Sequence, residues 1–560
     1  MSPALREFTP KLFSVLRHGY GQTEFRADLI AGLTVAVVAL PLAMALAIAS
    51  GTTPEKGLHT AIVAGFLISA LGGSRVQIGG PTAAFIPVVF SVIQRFGYEG
   101  LILCTLLAGL ILIAAGMLRV GALMRYMPQP VITGFTAGIA VSIFSSQIKD
   151  ALGLPIAQVP AEFVDRWRTY AEHASATNPW AAILTLLGLV LIVLLKRYRP
   201  AWPSLLMVVV VGGLLGLWLP VATIGSTFGD LPSALPALAF PEIPFERTAE
   251  LLPSALTIAF LAGVESLLSA VVADGMTGGR HRSNAELIAQ GVANTASALI
   301  GGLPATGALA RTATNIRAGA RTPVAGMLHA LILLAFMLLL APLMRYVPLP
   351  ALAAVLLMVA WNMSEIHRFR HLMRGPIGDR VVLLMTFILT VAFDLTVAIE
   401  AGIVLAAFLF MHRMSEVVAI QSHVDLPVQG GDESGDDPDQ RAKLPPHTDA
   451  YRFYGPLFFA VANRLDAVLD QQREAPRVFI LRMGQVPLID ASGVTSLENF
   501  LDRCQAQGTA VILSGMQDQP REVLRGMDFG KHPNFVGFAG NFDRAIEMAE
   551  AVLQRVDVTR

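Results

Sequence analysis

From Leu29 to about Met414 the chain is a succession of apolar runs, most of them near the length that crosses a bilayer, separated by polar or glycine- and proline-containing stretches. A crossing helix needs roughly 20 apolar residues. Fourteen segments meet or approach that need, at about 28–50, 57–72, 81–95, 100–118, 129–148, 179–195, 203–219, 253–273, 285–300, 305–316, 323–343, 348–363, 380–395 and 397–412. Composition agrees. Of 560 residues 54% are hydrophobic and 15% charged, against about 25% charged in soluble domains. The reading is a polytopic helical membrane protein with a smaller soluble part. Formal net charge is zero, and there is no basic tract or aromatic RNA-binding motif, so nucleic acid is not an expected partner.

Loop charge sets the orientation. An even count puts both ends on one side. That side collects Lys11, Arg17, Arg75, Arg119, Lys196, Arg197, Arg280, Arg282, Arg321, Arg368, Arg370, Arg374 and Arg413, whereas the other has a thinner scatter including Lys56, Arg95, Lys149 and Arg166. Lys and Arg mark cytoplasmic loops, so both termini are expected in the cytoplasm. Residues 1–27 read as a cytoplasmic lead-in with no cleavable signal. Cys104 and Cys504 lie one in an apolar span and one in the polar tail, which fits neither a disulfide framework nor a zinc site.

The membrane part repeats itself. "LMRYMPQP" at 123–130 returns as "LMRYVPLP" at 343–350, with six identities in eight. Gly72–Gly73 closes the second span and Gly301–Gly302 the ninth. A short interrupted segment follows each pair, "GGPTAAFIP" in one half and "GGLPATGALARTATN" in the other. Seven spans per half is odd, so the halves (about 28–219 and 253–414) must run in opposite directions. Inverted repeats with paired broken helices point to a transporter's binding site. A helix that starts inside the membrane leaves its first amides unpaired and carries about half a positive charge there. Pro81 can take an early helical position in the first segment, and Thr306 can cap the second. Two such starts facing each other form an anion cradle.

Arg311 adds a full charge at a depth where an unpaired arginine costs roughly 3 kcal/mol. Glu265, in "LAGVESLLSAVVAD", is the carboxylate read as deepest within a span, and the two are expected to communicate. With Glu265 taking a proton when an anion binds, proton and anion would travel together. A structural ion pair is the plainer alternative for the two, and helix packing for Thr312 and Thr314.

After Met414 the composition changes. An acidic Gly/Pro-containing linker at about 422–448 has nothing to bury. Beyond it, strand-like runs at 477–481 and 510–514 alternate with helical stretches near 458–473, 492–506 and 541–554, a small α/β domain over 449–560. Enzymatic activity has little support. Six of the eleven histidines (His173, His281, His367, His371, His423 and His447) lie in loops or the linker without metal-ligand spacing, no serine sits in a nucleophile elbow, and no glycine loop carries the lysine of a nucleotide site. Neither a metal nor another cofactor is expected.

Several motifs in order, "ALPLAMALAIASG" (39–51), "GGSRVQIGGPTAAF" (72–85), "VESLLSAVVADGMTG" (264–278) and "GALARTATNIRAGARTP" (307–323), resemble the SulP family of anion transporters, and "LIDASGVTSL" (488–497) resembles the central motif of a STAS domain. "VLLMVAWNMSE" (355–365) is most similar to the DauA-type C4-dicarboxylate branch. The resemblance implies a core and a gate domain built from the two inverted repeats, a homodimer, and residence in a bacterial inner membrane. It places the substrate between the third and tenth spans, at Thr82, Ala83, Ala84 and Phe85 and at Thr306, Gly307, Ala308, Leu309, Ala310 and Arg311. Met44 and Asn362 join these, with Glu265 as the proton-coupling group. Leu42 and Ala310 stand where several relatives have glutamine and serine, which makes the cavity less polar and suits a substrate with a hydrocarbon middle. In the tail, Asp490 is followed by Ala491 where soluble relatives have the phosphorylated serine. Ser492 is expected instead to cap the next helix, and the domain is left a role in regulation, in binding a cytoplasmic partner or in holding the dimer. The leading expectation is proton-coupled uptake of succinate-like dicarboxylates by alternating access. A sulfate or bicarbonate carrier, an anion channel and a membrane-tethered signalling protein are the alternatives.

Overall fold

The computed structural model describes residues 7–121, 128–200, 202–230, 245–393, 395–417, 419–422, 444–458 and 475–558. A bilayer interior offers no water to backbone amides, so a long apolar run must close its hydrogen bonds within itself as a helix. All fourteen expected segments meet one. Besides the short helices Lys11–His18, Ile224–Phe228 and Ile366–Leu372, the helices up to Val417 are α1 Gln22–Ala49, α2 Pro54–Leu71, α3 Ile86–Met117, α4 Gln129–Leu152, α5 Phe163–Glu172, α6 Pro179–Tyr198, α7 Ser204–Gly216, α8 Thr248–Thr277, α9 Ser283–Leu299, α10 Leu309–Arg317, α11 Val324–Met344, α12 Leu349–Met363, α13 Ile377–Ala392 and α14 Leu395–Val417. Helix α3 holds two spans, separated at Gly97, whose φ of 75° no ordinary side chain adopts readily. Helix α5 lies in a loop where no element was expected.

The repeated motif marks corresponding places. Pro128 and Pro348 precede the first residues of α4 and α12, and Pro130 and Pro350 lie in their opening turns, where a missing amide costs nothing. Residues 122–127 of the first copy lie outside the described residues.

Two segments depart from the expected helix starts. Gly79–Gly80 (β1) and Thr306–Gly307 (β2) are extended and pair antiparallel, Gly79 with Gly307 and Gly80 with Thr306. Pro81 therefore precedes the helix, which begins as a 3-10 turn over Ala83–Phe85. Thr306 does not cap α10. The strand pair holds it extended, Ala308 is the N-cap, and the Thr306 hydroxyl donates to the Ala262 carbonyl at 2.7 Å.

Small residues let the helices approach. A Cβ at Gly291 of α9 would sit 2.6 Å from the Gly109 carbonyl oxygen of α3, and one at Gly57 of α2 would sit 2.0 Å from the Ala43 oxygen of α1.

The chain divides into two compact units, Met1–Ala406 and Ala407–Arg560. The second carries a five-stranded sheet of β3 Ala419–Ser422, β4 Thr448–Tyr454, β5 Val478–Gln485, β6 Ala510–Ser514 and β7 Phe535–Ala539, in that order. Strand β3 is antiparallel to β4 and the other pairs are parallel. The sheet thus begins before the expected boundary at 449. The acidic stretch 423–443 and the helix expected near 458–473 fall largely outside the described residues. Helices α15 Ala491–Ala506, α16 Asp518–Gly526 and α17 Phe542–Val558 complete the unit. Asp490, not Ser492, caps α15, because its carboxylate accepts from the Gly493 amide at 2.7 Å while Ser492 is already the second residue of the helix. Burial pushes the Cys504 thiol, on this helix, up to about 12.

Two outcomes follow. Gly57→Val should destabilise the purified protein by about 1–3 kcal/mol in thermal unfolding, whereas Gly275→Ala, where an added Cβ meets nothing within 4 Å, should not. Peptide mapping after maleimide treatment at pH 8 should find Cys504 unlabelled in the native protein and labelled after denaturation.

Candidate functional site

Two short arms meet in the middle of the first unit: residues 76–85, leading into α3, and residues 303–311, leading into α10. The first arm is fastened along α10. The Val76 carbonyl accepts from Asn315 Nδ2 at 2.8 Å and the Ile78 amide donates to Thr312 Oγ1 at 3.1 Å. The Ile78 carbonyl accepts from the Ala308 amide at 2.8 Å, and the Pro81 carbonyl from Arg311 Nη2 at 3.1 Å. Each bond is worth about 1 kcal/mol net, but an unpaired group here would cost more than its bond returns.

Arg311 lies in the first turn of α10 and is 3% exposed. Gly80, with φ 150°, makes room for it: a Cβ there would lie 2.6 Å from Nη1. Nη1 itself is buried and has no hydrogen-bond partner. One residue further along the arm, Thr82 donates to Glu265 Oε2 at 2.9 Å. Among the described residues no ion pair within 4.0 Å joins Glu265 to Arg311. The neighbouring residues Pro81 and Thr82 hold them instead, one the guanidinium and the other the carboxylate.

Helix α8 addresses both arms from one face, through Ala262 to Thr306 and Glu265 to Thr82. Ala83, Ala84, Phe85 and Met44 are buried in one apolar cluster beside this junction. A Cβ at Gly307 would fall 1.5 Å from Gln77 Nε2, so a side chain there would push Gln77 off Ser266. Leu309 and Ala310 are exposed in the opening turn of α10, whose first amides have no partner within the helix. Asn362 is exposed at the end of α12 and makes no hydrogen bond to any of these residues. A cavity of about 1040 Å³ opens further along α3, lined by Ile86, Pro87 and Phe90 together with Arg95, Lys149 and Asp150. Thr82, Glu265 and Arg311 are not in its wall.

The scaffold under the arms is polar, and most of it escaped the sequence reading. Glu286, wholly buried, accepts from the Gly73 amide at 2.8 Å, the Ser74 amide at 3.2 Å, Ser266 Oγ at 3.0 Å and Gln290 Nε2 at 2.9 Å. Gln77 Nε2 donates to Ser266 Oγ at 2.9 Å. Asn294 brackets Ala305, donating to its carbonyl at 2.8 Å and accepting from its amide at 2.9 Å. Thr60 Oγ1 receives the Leu303 amide at 2.7 Å. The signal was available: Glu286, Gln290 and Asn294 recur every fourth residue, a polar stripe down one face of a membrane helix.

A membrane fold with two opposed broken segments, a buried guanidinium and a neighbouring carboxylate defines an anion transporter, and the comparisons agree. Residues 25–386 match the Sulfate permease family and residues 441–539 the STAS domain. The chain belongs to the sulfate permease family. YvdB of Bacillus subtilis (strain 168), which bears a provisional sulfate-transporter name, is 41% identical over 516 residues, covering 91% of this chain and 95% of that protein. The bicarbonate transporter BicA of Synechocystis is 28% identical, covering 89% and 90%. The solved transmembrane domain of a cyanobacterial BicA matches with a TM-score of 0.61 at 29% identity, over 69% of this chain and 98% of that one. Murine Slc26a9 in the inward-facing state matches over 98% of this chain and 95% of its own, with a TM-score of 0.85 at 17% identity, a likeness of fold.

Removing the Thr82 hydroxyl should show what the carboxylate bond contributes. A hydrogen bond to a charged group is worth about 1.5–3 kcal/mol, so Thr82→Val should slow anion uptake in proteoliposomes about 10- to 100-fold, while Thr82→Ser keeps most of the rate.

Proposed function

We propose that the chain takes up C4-dicarboxylates such as succinate together with protons, by alternating access, in a bacterial inner membrane. The observation that carries this reading is Arg311 Nη1, a buried cationic donor without a partner where the two arms meet. A carboxylate of the substrate would take that donor and the free amides of the two helix starts, at Ala83 and Ala84 and at Leu309 and Ala310. Thr82, Phe85, Thr306, Gly307, Ala308 and Met44 would shape the surrounding space, and Asn362 is kept as an outlying contact. An added negative charge beside Glu265 favours its protonated form, so substrate binding would load the proton. Thr82 would then exchange its role as donor to a carboxylate for one toward a carboxylic acid or the substrate.

The substrate class rests on apolar neighbours. Met44, Ala83, Ala84 and Phe85 are buried in one cluster, and Leu42 and Ala310 add no polar group. Such a lining suits a hydrocarbon segment better than a compact oxyanion. Sulfate or bicarbonate is the second reading, favoured by the names that YvdB and BicA carry. Both termini would face the cytoplasm, and the transporter would work as a homodimer.

The test is uptake of radiolabelled succinate, bicarbonate and sulfate into proteoliposomes with and without an inward proton gradient. Succinate should accumulate, faster with the gradient, and Glu265→Gln should bind succinate but lose the stimulation. Accumulation of sulfate or bicarbonate in its place would transfer the assignment to that anion, and full stimulation of the mutant would remove Glu265 from coupling.

A further inference from the structure

Helix α11 passes behind the first arm. A Cβ at its Gly326 would sit 2.1 Å from Ser69 Oγ of α2 and 3.3 Å from Ile78 of the arm. Residues three or four apart share a helix face, so His329 follows Gly326 on the side turned to the arm. One turn of helix rises about 5 Å and two extended residues span about 7 Å, which brings His329 level with Gly79–Gly80. Helix α2 keeps the same register beside them. A Cβ at Gly65 would meet the Gly79 carbonyl oxygen at 3.0 Å, and one at Gly80 would lie 3.6 Å from Ala61 Cα and 2.6 Å from Arg311 Nη1. Helix α1 closes the remaining side, where a Cβ at Gly32 would fall 3.1 Å from the His329 amide nitrogen.

His329 is wholly buried, and neither of its ring nitrogens has a hydrogen-bond partner. The Arg311 guanidinium is near enough to act on the ring through its charge. Its Nη1 is unpartnered too, while Nη2 is spent on the Pro81 carbonyl. The two groups are complementary in kind. A guanidinium offers donors and no acceptor, and a neutral imidazole always presents one acceptor nitrogen. Leaving either buried and unpaired costs more than an ordinary bond returns. A neutral acceptor also leaves the charge of Arg311 in place, so the attraction that draws an anion survives, whereas a carboxylate there would cancel it.

We propose that His329 is a positioning residue for Arg311. In the anion-free cradle a ring nitrogen takes Nη1 through one bridging water, a link nearly as good as a direct bond, and the arriving anion takes Nη1 over. The inference rests on the reading above, in which Nη1 meets the substrate, and adds that the anion must displace an occupant. That competition keeps the grip loose enough for the anion to leave on the far side.

The test uses the full chain purified in detergent, with radiolabelled succinate, sulfate and bicarbonate each as a binding probe. His329→Phe, or His329→Leu if the first does not fold, removes the acceptor and should tighten binding of the anion that the wild type holds about five- to tenfold. His329→Gln keeps an acceptor and should bind as the wild type does. In proteoliposomes the half-saturation and the maximal rate of uptake should both fall in His329→Phe, because the anion leaves more slowly. Without anion, the losses of thermal midpoint in His329→Phe and Arg311→Gln should fall short of adding in the double variant, since both break one link. Unchanged binding in His329→Phe, equal weakening in His329→Phe and His329→Gln, or losses that add would each overturn the proposal and leave the cradle standing. Wild-type protein that binds none of the three anions, or Arg311→Gln that binds as the wild type does, would remove the cradle reading and this inference with it.

Discussion

Backbone that leaves the helix inside a membrane must find every hydrogen bond within the protein. The two arms of this transporter are such backbone, and the rest of the membrane unit is arranged around satisfying them. They supply part of the answer to each other through Gly79–Gly80 and Thr306–Gly307. Helix α10 supplies more through Arg311, Thr312 and Asn315. Helices α2, α8 and α9 supply the remainder through Thr60, Ala262, Glu286 and Asn294. With so much of the backbone committed, Arg311 Nη1 is, among the described residues, the one buried guanidinium or ammonium nitrogen left without a partner. In the proposed function that nitrogen is the one the substrate carboxylate takes.

Much of this was legible. Apolar run length gave the spans, because helix formation in lipid is forced. Glycine pairs followed by proline gave the breaks, because those residues interrupt a helix wherever they stand. Arg311 and Glu265 drew notice because charge in an apolar run is costly. The strand pairing was not legible, since two residues per strand leave no periodicity to read. That pairing also explains why Thr306, a good cap by type, was drawn into another role. The error at Ser492 is similar. Asp490 and Ser492 are both capping residues, and the backbone turn after Ile489, which no pattern of residue types reveals, decided for the aspartate.

The buried carboxylates show a second limit. Glu265, Glu286 and Asp28 all lie within helices of the membrane unit. Glu286 has four donors, and Asp28 Oδ1 accepts from the Arg321 amide at 2.8 Å and the Thr322 amide at 3.1 Å. Among the described residues Glu265 has one, from a hydroxyl that can turn away. Type and depth in the sequence do not separate these three. The number and stiffness of their donors do.

The zipper between the arms also bears on how the protein is made. Ile78 and Thr312 are 234 residues apart, so the first arm leaves the ribosome long before its partner exists. At synthesis rates of about 5–20 residues per second, that interval lasts on the order of ten seconds or more. Throughout it the amides and carbonyls of 76–81 must stay near water or a chaperone, and the first repeat must wait, threaded but unfinished, for the second to seal it.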